Sequence, residues 1–138
     1  MAQNTTPVAV LTSNVKWVKL TTQAGTQSSR DGTGATTSGW TAGANGSRIF
    51  MIRCLPLGTN VASEVIAYIN NGSTNGTATN NSIIAEVALA ATTATNTAGQ
   101  TPVDIPIDRY VPNGYILYLQ LGTTVAAGWQ FTVFGGDY

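Results

Sequence analysis

Short segments in which apolar and polar residues alternate are the feature that most constrains the fold of this chain. Successive side chains on a β-strand point to opposite faces, so a period of two predicts half-buried strands. In SEVIAYIN (63–70), for example, Val65, Ala67 and Ile69 would share one face. The other segments that predict strands are PVAVL (7–11), VKWVKL (15–20), RIFMIRCL (48–55), SIIAEVALA (82–90), VDIPID (103–108), YILYLQL (115–121) and GWQFTVFGG (128–136).

The composition supports strands over helices. Only 9% of the 138 residues are charged, and few are Lys, Glu or Leu, which argues against a helical protein. A chain of this length fits one domain. We therefore predict an all-β, single-domain β-sandwich of seven or eight short antiparallel strands with long polar loops. We divide it into an N-terminal arm, 1–12, and a β-sandwich domain, 13–138.

Two polar stretches need an interpretation. INNGSTNGTATNNS (69–82) could link two domains, but each half would then be too small to bury its apolar strand faces alone. We interpret it as a long loop between two strands of one domain. Residues 21–47 read as a long Gly/Ser/Thr-rich connection in which Trp40 is the one large apolar anchor. Long irregular connections are often functional, so Trp40 is a candidate for an intermolecular contact.

Few residues could carry catalysis. The sequence has no histidine and one cysteine, Cys54, within an apolar run that favours a buried thiol. Asp104 and Asp108 would lie roughly 13 Å apart on one strand, farther than the roughly 5–9.5 Å of glycosidase carboxylates. Glu64 and Glu86 could approach each other across a sheet, although solvated strand faces are the usual place for Glu. We predict no catalytic, cofactor-binding or metal-binding residue, no cofactor and no enzyme activity.

Charge and hydropathy also bear on partners. The formal net charge is zero, so the chain lacks the basic surface that neutralises phosphates, and nucleic acid is not expected as a partner. No apolar run reaches the roughly 20 residues of a membrane-spanning helix. The N-terminus shows no secretory leader. We expect a soluble protein, made in a cytoplasm, that does not bind membranes.

Residues 48–138 resemble small virion proteins of tailed bacteriophages, in particular capsid decoration or head-stabilising proteins. The resemblance lies in PLGTN, in the strand–NNGSTN–strand unit, in IPIDRYVPNGYILYLQLGTT and in the terminal GWQFTVFGGDY. It implies a jelly-roll-like β-sandwich that binds the major capsid protein on the outside of the capsid and stabilises it without enzyme activity. It also implies a homotrimer, made in the host cytoplasm and located on the virion exterior.

The first 47 residues carry no such resemblance, but they suggest how a decoration protein could bind its shell. The arm and the 21–47 connection would become ordered on the capsid, burying apolar anchors. The candidate capsid or subunit contacts are Val8, Val10 and Trp40. Two alternatives remain open: a tail or fibre module that binds host-surface glycans through exposed aromatic residues, and a carbohydrate-active enzyme that uses carboxylates alone.

Overall fold

A computed structural model of the chain describes residues 11–22, 30–34 and 37–138. Among these residues are ten strands and one short 3-10 turn, Ala78–Asn80, and no α-helix. Val8 and Val10 lie outside the described residues, as does most of the predicted arm. The strands are β1 Thr12–Leu20, β2 Thr37–Thr41, β3 Ser47–Pro56, β4 Thr59–Asn60, β5 Ser63–Asn70, β6 Asn81–Leu89, β7 Thr92–Thr93, β8 Val103–Val111, β9 Ile116–Leu121 and β10 Trp129–Asp137.

Eight of the strands form two four-stranded antiparallel sheets. The first sheet has the order β1-β10-β3-β8 and the second β2-β9-β5-β6, while β4 and β7 pair separately. Contacts of β1 with β2 and of β6 with β8 show that the sheets stack with their edges aligned. The all-β sandwich fold is thus confirmed. The distribution of the eight longer strands over the two sheets is consistent with a jelly roll.

The core lies between the inner faces of the two sheets. On β5, Val65 and Ala67 point inward and are fully buried, and Ile69 packs against the same core, as the alternation predicts. The opposite sheet supplies β3 and β10, whose inward residues alternate with exposed or half-buried ones. The largest buried apolar side chains of this core are Trp40, Ile49, Ile52, Leu89, Leu117, Leu119, Leu121, Trp129 and Phe131.

The interpretation of residues 21–47 as one continuous connection is wrong. Strand β2 (Thr37–Thr41) lies within it and pairs with β9, with a bulge between Ser38 and Trp40. The Trp40 side chain is only 1% exposed and belongs to the core. The pattern was missed because β2 has five residues, one of them a glycine, and a bulge breaks its alternation.

The interpretation of residues 69–82 as a loop within one domain is confirmed. Strands β5 and β6 pair antiparallel on either side of it, with Asn70 opposite Asn81. Its asparagines bond to one another and to the loop backbone: Asn70 Nδ2 donates to Asn81 Oδ1 at 2.8 Å, and Asn80 Nδ2 donates to the Thr74 carbonyl at 2.9 Å. Hydrogen bonds from these asparagine side chains thus stabilise the conformation of the long turn.

β8 lies at an edge of the first sheet, and a register shift opposite it accommodates Pro106. Both features follow from a residue that cannot donate to a ladder. β1 begins at Thr12, one residue before the start that we predict for the sandwich domain. Leu11 also lies against the chain, since a Cβ placed on Gly136 would come within 2.7 Å of Leu11 Cγ.

Asn60, which is buried, ties three segments together at one end of the sandwich. Its Oδ1 accepts from the Ala127 and Gly128 backbone N–H groups at 2.9 and 2.8 Å. Its Nδ2 donates to the Gly128 carbonyl at 3.0 Å and to Thr92 Oγ1 at 3.3 Å. A buried amide with this many partners is costly to remove, because the groups that it bonds would be left buried without a hydrogen-bond partner from the protein or from water.

We expect Asn60→Ala to lower the free energy of unfolding by about 2–3 kcal/mol, because buried backbone groups lose their partner. The exposed Asn96 provides a matched control, and Asn96→Ala should change stability by less than about 0.5 kcal/mol. Chemical denaturation of both variants is the measurement. Equal stabilities would contradict the role of Asn60.

Candidate functional site

Part of the outer face of the second sheet is covered by a segment of the same chain. Ile66 and Tyr68 point away from the core, yet they are 1% and 0% exposed. Residues 30–34, which we call the strap, lie over this face. Arg30 Nη1 is 3.2 Å from Glu64 Oε1, and its Nη2 bonds to Glu86 on the neighbouring strand. The strap thus bridges β5 and β6 from the outside.

A local turn shapes the strap. The Thr33 backbone N–H and hydroxyl both donate to Asp31 Oδ1, at 3.0 and 2.6 Å. These bonds hold the pKa of the Asp31 carboxyl below its usual value. Gly32 between them has a φ of 78°, and a Cβ there would lie 2.8 Å from Asn81 Cβ. Only glycine therefore lets the strap approach β6 this closely.

Gly32→Ala should lift the strap from β6 and lower stability by about 1–2 kcal/mol, because the new Cβ clashes and the backbone is left-handed. Hydrogen exchange of the β5 and β6 amides should accelerate. Gly99→Ala is the control, since a Cβ at Gly99 meets nothing within 4 Å. Unchanged exchange in Gly32→Ala would show that the strap does not protect this face.

Within the part of the chain that the structure describes, no segment covers the outer face of the first sheet, which we call the open face and which carries an apolar row. The strand registers place Val15 of β1 beside Phe134 of β10, Phe134 beside Met51 of β3, and Met51 beside Pro106 of β8. Val15 is 43% exposed, Pro106 is exposed and the other two are half-buried. Four apolar residues therefore cross the whole sheet without a polar interruption. We call these four residues the apolar row.

A second row of cross-strand neighbours on the same face contains a tryptophan and an ion pair. Trp17 aligns with Thr132, Arg53 and Asp104. Arg53 Nε and Nη2 lie 2.8 and 2.7 Å from the two Asp104 carboxylate oxygens. Hydrogen bonding from Arg53 holds the pKa of the Asp104 carboxyl below its usual value. The charges of this row neutralise each other within the face.

A groove of about 440 Å³ runs between β1 and β2, at the aligned edges of the two sheets. Trp17, which is 67% exposed, forms one wall. Lys16 Nζ lies 4.3 Å from the Trp40 ring centroid and donates to the Thr41 carbonyl at 3.3 Å. Lys16 therefore joins the edge of one sheet to the edge of the other.

A second cavity, also of about 440 Å³, opens beside the strap and is lined in part by Arg30, Ser63, Glu64 and Thr123. Arg30 is bonded to Glu64, and Ser63 Oγ accepts from the Thr123 backbone N–H at 3.1 Å. These polar groups serve the internal bonds of the strap and the adjoining turn.

Cys54 points into the core from β3 and is fully buried. Burial raises the pKa of its thiol to about 12. The prediction of a buried thiol is confirmed, and its environment is the reverse of the electropositive, accessible one that activates a nucleophilic cysteine.

Cys54 in the native protein should not react with Ellman's reagent between pH 7 and pH 9, because the thiolate forms only near pH 12 and the side chain is inaccessible. It should react fully in denaturant. Stoichiometric labelling of the native protein within minutes would contradict this environment.

The carboxylates considered for catalysis are engaged in ion pairs. Asp104 binds Arg53, Asp108 accepts from Arg48 Nη2 at 2.7 Å, and Glu64 and Glu86 share Arg30. The residues that the structure describes contain no group of three or more His, Cys, Asp or Glu that could hold a metal ion. None of the described helical segments is long and apolar enough to span a membrane.

Of the predicted contact residues, Trp40 was placed wrongly in a loop, and its buried side chain has no surface to offer a partner. Val15 and Trp17 were missed as surface residues. Their segment VKWVKL carries two apolar residues and one lysine on each face, so alternation could not indicate which face is buried.

A scan against protein-family models found no match, and searches of curated proteins and of solved structures found none either. The resemblance to capsid decoration proteins therefore stays a prediction.

Proposed function

We propose that this chain is a non-enzymatic structural protein of a phage virion that binds the outside of the capsid and stabilises it. Its partners in this proposal are the major capsid protein and further copies of itself, and its location is the capsid exterior. The homotrimer implied by the sequence resemblance stays a prediction.

One observation carries the proposal: among the described residues, the strap covers part of the second sheet's outer face, and no segment covers the outer face of the first sheet. The open face presents the apolar row and Trp17, the most exposed of the large apolar side chains. Contiguous exposed apolar surface of this kind marks protein-interaction sites. A rigid sandwich with one face prepared for contact suits a component of a shell.

Charge supports the same conclusion. The formal net charge is zero, and Arg48 and Arg53 of the open face are paired with Asp108 and Asp104. Such a face does not repel a neutral protein surface at short range, nor does it attract phosphates. Many copies on one lattice would add avidity to contacts that are individually weak.

The test is the position and copy number of the chain in purified virions of the phage that encodes it. We expect hundreds of copies on the head, seen by cryo-electron microscopy and counted by quantitative mass spectrometry. Virions grown without the chain should lose DNA at lower temperature or under chelation, and added protein should restore them. Absence from virions, or no effect of its removal on the head, would refute the proposal.

The alternative of a glycan-binding tail or fibre module is favoured by the groove beside Trp17, because an exposed indole next to polar groups is a common sugar platform. It predicts a few copies at the tail tip. Glycan-array binding that Trp17→Ala abolishes would establish it. Trp40, being buried, would not be the residue to test.

A further inference from the structure

We propose that the open outer face of the first sheet is a self-association interface, on which the same face of a second copy of this chain packs. The inference deepens the proposed function. It rests on that function in one respect, namely that the open face contacts another protein. It names the first partner of the face, which neither the fold nor the resemblance specifies.

The size of the face fits a stable dimer. Four strands spaced about 4.8 Å apart and nine residues long at about 3.4 Å per residue give a rectangle of roughly 590 Å². Two such faces bury roughly 1,200 Å² together, which exceeds the roughly 1,000 Å² expected of a specific interface. Sheets of this width pack face to face in an aligned arrangement, about 10 Å apart.

The chemistry of the face is complementary to itself. A twofold contact brings each group near its own copy, so a face with charge of one sign would repel its partner. On this face Arg53 forms an ion pair with Asp104, and Arg48 forms one with Asp108, so these charges are compensated within each copy. Lys19, a further charge on this face, lies near the end of β1, at the rim.

The apolar row gives the contact a centre. Its residues run across all four strands, so two faces related by a twofold axis can cross their rows and interleave Val15, Met51 and Phe134 of both copies. Trp17 stands next to the row, in the position of a large aromatic anchor. The outer face of the second sheet differs, because the strap lies over part of it and Arg30, Glu64 and Glu86 place charges there, while Ile83 stays exposed.

A twofold pair contains two copies, whereas the sequence resemblance implies three. The two ideas are therefore distinguishable by mass alone. An open heterologous contact would need a second surface that is complementary to the open face, whereas the other outer sheet face carries the charges of Arg30, Glu64 and Glu86.

The experiment compares two double variants of the full chain by sedimentation equilibrium over a wide concentration range. Val15→Thr with Trp17→Thr removes apolar surface from the open face while keeping residues that favour strands. Val61→Thr with Ile83→Thr removes similarly exposed apolar surface from elsewhere. We expect the wild type and the control to form dimers with the same Kd, and the face variant to raise the Kd at least about tenfold.

Two further measurements keep the test decisive. Thermal unfolding at concentrations where all proteins are monomeric shows whether the face variant is folded. Hydroxyl-radical footprinting of the wild type needs no variant: labelling of Trp17 should fall as dimers form, while labelling of Val61 stays constant.

A wild type that is monomeric or trimeric, a dimer insensitive to the face variant, or constant labelling of Trp17 would overturn the inference. The proposed function is judged separately. A monomer that still occupies the capsid would refute self-association alone, whereas a dimer absent from virions would refute the capsid role alone.

Discussion

The structure depends on the burial of two inner sheet faces against each other. With few charges and one cysteine, the chain depends mainly on hydrophobic burial for its stability, and apolar residues facing inward from eight strands supply it. This burial fixes each strand register, because a slip of one residue would turn a strand's apolar set outward. Once the inner faces are used, only the two outer faces remain to distinguish one such sandwich from another.

The two outer faces are treated differently. The strap, anchored by Arg30 on Glu64 and Glu86, closes the second sheet with polar contacts that are individually weak at a surface. Its effect is to bury Ile66 and Tyr68, and that burial contributes more than the ion pairs. The described residues of the strap make no such contacts with the outer face of the first sheet. Its charges are compensated in place and its apolar row faces solvent, which is the condition expected of a surface that another protein completes.

Alternation predicted most of this fold, because it reports directly on strands with one buried face. Strand β5 was predicted with its observed bounds, and β3, β6, β8 and β10 to within one to three residues at either end. Strand β2 was not predicted, since a bulge and Gly39 hide its period, and Trp40 was misplaced with it. The open face was not predictable either. VKWVKL looks the same from both sides, and the apolar row joins residues up to 119 positions apart that only the register brings together.

Lys16 has a consequence for the kind of assembly that such a chain can enter. It sits on β1, an edge strand, but points inward to Trp40 and the Thr41 carbonyl of β2. A foreign strand that extended the sheet at this edge would meet the half-buried Lys16 side chain, whose ammonium group is already bonded to the neighbouring layer. Inward-pointing charges of this kind discourage ladders from growing sideways. Extension of the first sheet at β1 is thereby disfavoured, which directs assembly to the faces of the sandwich rather than to this edge.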